Sequence, residues 1–162
     1  MPNEIRIDVR RRKIVCTQLA VLLSGVLILM IYATALELVI SCSEFPGEFE
    51  VPQLLKLNAG LISLQMFIVG ICFLASCIFS DTRYSLAFGA GIPAFMYVLQ
   101  MLGNVGEKTE AAKYFTFFTL FDGNGLIAGE TPAIVEAVSL FAGAMVMYAV
   151  GCVVFCRKDL PL

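Results

Sequence analysis

Histidine is absent from this 162-residue chain, and charge is scarce: 15% of residues are Asp, Glu, Lys or Arg. Soluble domains carry about a quarter charged residues. Without histidine, a histidine-based metal site, catalytic triad or proton relay is excluded. The six cysteines, Cys16, Cys42, Cys72, Cys77, Cys152 and Cys156, include no CxxC pair, and they read as small buried apolar residues. No GxxxxGK[ST] phosphate loop occurs, so nucleotide hydrolysis is not expected of this chain. No nucleophile, base or metal set converges, so the chain is not expected to be an enzyme and no cofactor or nucleic-acid partner is expected. Charge is also missing from the middle of every long apolar run, which argues against an ion-coupled secondary transporter.

What fills the chain instead is apolar. Hydrophobic residues make up 59% of it, with a mean hydropathy of +0.88. A single soluble core of this length would leave large apolar patches exposed. An all-α polytopic membrane protein is therefore expected. A span needs about 20 mostly apolar residues, and four stretches qualify: about residues 14–40, 54–79, 84–102 and 133–156. Hydrocarbon offers backbone groups no water to bond, so each stretch should be helical. Residues 1–13 form a basic segment ahead of a four-span domain over 14–162. Only about four residues, Ser80 to Arg83, join the second span to the third, which makes them an antiparallel pair.

The basic residues are sorted by position. Arg6, Arg10, Arg11, Arg12 and Lys13 precede the first span, Arg83 lies in the short connector, and Arg157 and Lys158 follow the last span. Four spans put all eight on one side, opposite Lys56, Lys108 and Lys113. The positive-inside bias then places both termini in the cytoplasm of a multi-pass cell-membrane protein. A cleaved signal peptide is disfavoured, because signal cores run 7 to 15 residues and the first apolar run is about 27 long. Glu37, Lys56 and Glu136 each fall within a turn or so of the outer end of a span. There they can reach headgroups and water, or they can form an outer polar cluster with Lys56 near Glu37 or Glu136.

Small residues Ala87, Gly89, Ala90 and Gly91 give the third span a face for close helix approach, as Ala142, Gly143, Ala144 and Gly151 do in the fourth. Pro93 is expected to kink the third span. Between these spans, residues 113–130 read KYFTFFTLFDGNGLIAGE. Tyr114, Phe115, Phe117, Phe118 and Phe121 suit the membrane interface. The Asp122-Gly-Asn-Gly sequence reads as a turn, after which Leu126, Ile127 and Ala128 dip back toward the last helix. An outer interfacial or re-entrant hairpin is expected before the last span.

In that hairpin the chain resembles the permease subunits of exporter-type ATP-binding cassette transporters. Those end in a short span with a glycine-rich start, an Asn near its outer end, and a KYLTPFxYFD pattern followed by an apolar stretch and a glycine. A last span then closes on Phe, basic residues and Asp-Leu. Here Gly89 to Gly91 are followed by MLGN with Asn104, then KYFTFFTLFD, then Ile127 and Gly129. Phe155, Arg157, Lys158, Asp159 and Leu160 close the chain. Phe117 stands in place of the family's Pro, and Leu120 in place of its second Tyr. RRRKIV is similar to the basic segment before the family's third span, with Gln18 where a lysine is expected.

The resemblance implies the carboxy-terminal four of a usual six spans. It implies a second permease chain or a missing amino-terminal half, as a homo- or heterodimer, around a substrate pathway in the lipid bilayer. A separate cassette ATPase would drive it, with Arg10, Arg11, Arg12, Lys13, Asp81 and Arg83 facing that partner. Tyr114, Phe117, Phe118, Phe121 and Asp122 would form an outer gate. The rival expectation is a self-contained four-helix accessory, scaffold or immunity membrane protein with no pathway of its own.

Overall fold

The computed structural model describes the backbone of residues 2–44, 51–105 and 116–157, and side chains for 13–43, 51–103 and 116–157. The described residues form α1 (Pro2–Glu44), α2 (Val51–Ile78), α3 (Thr82–Val105), a 3-10 turn (Phe117–Leu120), α4 (Gly123–Ala128) and α5 (Thr131–Arg157). No strand occurs among them. Helices α1, α2, α3 and α5 are long and apolar enough to cross a membrane, over Lys13–Ser43, Val51–Ile78, Thr82–Gly103 and Thr131–Arg157. The protein is an all-α, multi-pass membrane protein. Each helix begins ahead of its apolar stretch, by two or three residues in α2, α3 and α5 and by twelve in α1. Helix α1 begins at Pro2, a first-turn position at which proline lacks no needed donor.

The α2–α3 connection is as tight as its length demands. The Asp81 carboxylate accepts the Arg83 N–H at 3.0 Å, and the Asp81 carbonyl accepts the Ser85 N–H at 3.0 Å. Asp81 is thus the N-cap of α3. The up-and-down path makes α2 and α5 parallel neighbours, and they form the most extensive helix pair. Helix α5 buries one stripe, Ala133, Ala137, Leu140, Ala144, Tyr148 and Gly151, at the 3.6-residue period.

The core sits between these two helices. Val15, Met66, Phe73, Cys77, Ala144 and Tyr148 form its main cluster. Ala144 is fully buried, and its Cα lies 3.6 Å from where a Cβ at Gly70 would stand, so small residues set the helix separation. The Tyr148 hydroxyl donates to the Met66 carbonyl at 2.8 Å. Its ring lies 5.9 Å from that of Phe73.

One expectation about α3 needs correction. Of its small residues only Gly89 is buried, facing Cys72 and Ala75 of α2, whose Cys72 thiol donates to the Gly89 carbonyl at 3.2 Å. Ala87, Ala90 and Gly91 are exposed, because one helix face cannot hold four nearly consecutive residues. Pro93 is buried inside α3.

Candidate functional site

The hairpin end of the bundle holds half of the residues to which the sequence points: Glu37, Lys56, Phe117, Phe118, Phe121, Asp122 and Glu136. Here the chain leaves α3, makes the 3-10 turn, caps and forms α4, and enters α5. The sequence suggests a turn at Asp122-Gly-Asn-Gly, but Gly123 to Gly125 are the first turn of α4. The reason is the cap: an Asp122 carboxylate oxygen accepts the Asn124 N–H at 3.1 Å, and the Asp122 carbonyl accepts the Leu126 N–H at 3.0 Å. Helix α4 ends in a Schellman motif, with Gly129 N–H to the Leu126 carbonyl at 3.2 Å and Glu130 N–H to the Gly125 carbonyl at 2.9 Å. Gly129 has φ of 75°, a left-handed conformation that favours glycine.

The hairpin is fastened on three sides. Leu126 is buried with Ala133, Ala137 and the half-buried Phe121, and a Cβ at Gly60 of α2 would collide with it. Phe117 packs on Phe67 of α2, with ring centroids 5.2 Å apart, and stacks on Phe118 at 4.5 Å. Phe118 in turn meets Tyr97 of α3 edge-on at 5.7 Å. Buried Thr116 donates a short hydrogen bond to the Gln100 side chain of α3, which also accepts from Thr119 at 3.2 Å.

Of the gate candidates, Phe117 and Phe118 are brought together, and each described one has a local contact as well. Phe117 engages α2, Phe118 engages α3, Phe121 lines the α4–α5 cluster, and Asp122 caps α4. Tyr114 lies outside the described residues. Among the outer charges, Glu37 of α1 is exposed and accepts the Asn58 amide N–H of α2 at 2.9 Å. Asn58 is only 4% exposed, so it is a buried polar tie between these helices. Lys56 forms no ion pair with Glu37 or Glu136 among the described residues. Its ammonium instead lies beside Gly129, 3.6 Å from where a Cβ there would stand. Glu136 is half-buried on the first turns of α5.

At the opposite end, Lys13, Asp81, Arg83 and Arg157 are exposed. Arg10, Arg11 and Arg12 continue α1 in helical backbone, and their side chains lie outside the described residues. Helix α1 is the least packed span: 6% of its most apolar stretch is buried, against 33% in α2, 17% in α3 and 22% in α5. An open crevice of about 550 Å³ runs between α1 and α2 past Thr17, Gln18, Cys72 and Ser76. Among the described residues, the exposed Gln18 amide has no hydrogen-bond partner.

Sequence reading missed the Gln100–Thr116–Thr119 cluster and the Tyr148–Met66 bond. The available signal was a polar side chain inside an apolar run, which must find a partner. No protein family, curated protein or solved structure matches the chain.

Proposed function

We infer that this chain is the permease component of an ATP-driven membrane exporter, with both termini in the cytoplasm. It contributes four spans to a substrate pathway that further spans complete and a separate ATPase chain powers. The observation that carries this reading is the one-sided packing of α1. A closed four-helix bundle buries a stripe on every helix, whereas α1 touches α2 and α5 and leaves most of its surface open. Its unpartnered Gln18 amide beside the α1–α2 crevice suits a neighbouring span that supplies a hydrogen-bond partner. The folded hairpin, in the segment that carries the family resemblance, supports the same reading as a cap over the exit. Clamping and release by the ATPase at Arg10 to Lys13 and the Asp81–Arg83 turn would alternate access to the pathway.

The accessory reading draws on one observation, the well-packed α2–α5 pair, which needs no partner. The two readings separate on purification of the tagged full chain from its own membranes in mild detergent. The exporter reading expects co-elution of a chain bearing GxxxxGK[ST], and its release when Arg10, Arg11 and Arg12 are changed to Glu. A stable, monodisperse chain eluting alone with its biological effect intact would overturn it.

A further inference from the structure

Between the hairpin-end halves of α2 and α5 lies a groove of about 520 Å³, within the 300–1,000 Å³ range of small-ligand sites. Lys56, Ala59 and Ser63 line it from α2; Ile134, Val138 and Phe141 line it from α5. Each set occupies one helix face. Because α2 and α5 run in the same direction, both sets descend together, through seven residues or about 10 Å. The walls from α5 are open to the surroundings: Ile134 is 47% exposed, Val138 61% and Phe141 45%. The Ser63 hydroxyl donates back to the Ala59 carbonyl at 3.4 Å, so its polarity is spent within α2. The remaining polar group is the Lys56 ammonium at the upper end, which no described side chain neutralises.

We propose that this groove holds an anionic phospholipid of the leaflet on the hairpin side, its phosphate at Lys56 and one acyl chain laid between α2 and α5. The shape asks for a chain, since the groove is long and apolar and opens to hydrocarbon. The cation at interface depth asks for an anionic head. A second copy of this protein fits less well. A two-fold axis along the membrane normal would bring the two Lys56 ammonium groups to the same depth on facing surfaces, where like charges oppose association. The proposal requires a bilayer but no transport activity, so it stands or falls separately from the exporter reading.

The test uses the full chain in nanodiscs of equal phosphatidylglycerol and phosphatidylcholine with identical acyl chains, with retained lipid read by native mass spectrometry. The wild type is expected to retain one phosphatidylglycerol about fivefold in preference to phosphatidylcholine, the effect of one basic residue near a membrane surface. Lys56→Gln should abolish the preference, Lys56→Arg should keep it, and Ala59→Phe should displace lipid of either kind by filling the groove. Ala59 is exposed, so that variant tests the groove even if Lys56→Gln folds poorly. The proposal is overturned by equal retention of the two lipids in the wild type, by a preference that survives Lys56→Gln, or by lipid that survives Ala59→Phe. A dimer that Ala59→Phe dissolves would overturn it as well.

Discussion

The docking of the hairpin rests on Leu126, and truncating that one side chain should release it. Leu126 is 7% exposed and inserts between Gly60, Ala133 and Ala137. Leu→Ala at buried sites costs about 2–5 kcal/mol. A middle value of about 3 kcal/mol shifts the docked-to-undocked ratio more than a hundredfold. Helix α4 has six residues, far below the length at which an isolated helix holds in water, so undocking and unwinding should coincide. Hydrogen exchange of Leu126→Ala, read peptide by peptide, should therefore show amides 126 to 130 exchanging about a hundredfold faster. Those near Ala144 should be unchanged, because local and global opening are separate events. Exchange that stays at the wild-type rate in the hairpin, or rises equally along α2 and α5, would refute the idea of a separately docked cap.

Three further outcomes can be checked by unfolding in mixed micelles followed by circular dichroism. Tyr148→Phe removes only the hydroxyl on the Met66 carbonyl and should cost about 0.6 kcal/mol, the average for interhelical hydrogen bonds in membranes; Tyr148→Ala should cost about 3–5 kcal/mol by leaving a cavity. Asp122→Ala should cost about 1 kcal/mol through loss of the α4 cap, and Asp122→Asn much less; equal losses would mean that charge, not capping, is what matters there. Asn58→Leu should loosen α1 from α2 by about 0.6 kcal/mol or more, because Glu37 loses its amide donor, and cross-linking between those helices should fall accordingly.

The long spans were legible because hydrocarbon removes alternatives: an apolar run of 20 or more residues has only the helix open to it. The α3 cap was half-legible: the short connector marks Asp81 to Arg83 as a tight turn, without showing the capping bond that Asp81 makes. The aromatics of the hairpin mark it as an interfacial segment, but its fold is not legible. Asp-Gly-Asn-Gly carries strong turn propensity, and the Asp122 cap makes it a helix start, with Leu126 packed against Gly60. At Glu37 the sequence leaves open both reach to headgroups and water and a cluster with Lys56; helical phase sets Asn58, two residues on and about 160° around the axis from Lys56, against α1, where its amide donates to Glu37. Which of four small residues in α3 meets α2 depended on that same rotational phase, which composition does not encode.

The parallel α2–α5 pairing has a consequence for biosynthesis. Helix α2 ends at Ile78, and its principal partner ends 79 residues later at Arg157. At about 5–20 residues per second of translation, α2 waits roughly 4 to 16 s in the bilayer with its Gly60 and Gly70 face uncovered. During that interval it depends on lipid, on α3 or on the insertion machinery for cover. Nascent chains arrested before Thr131 should therefore be the form of this protein most exposed to membrane quality control.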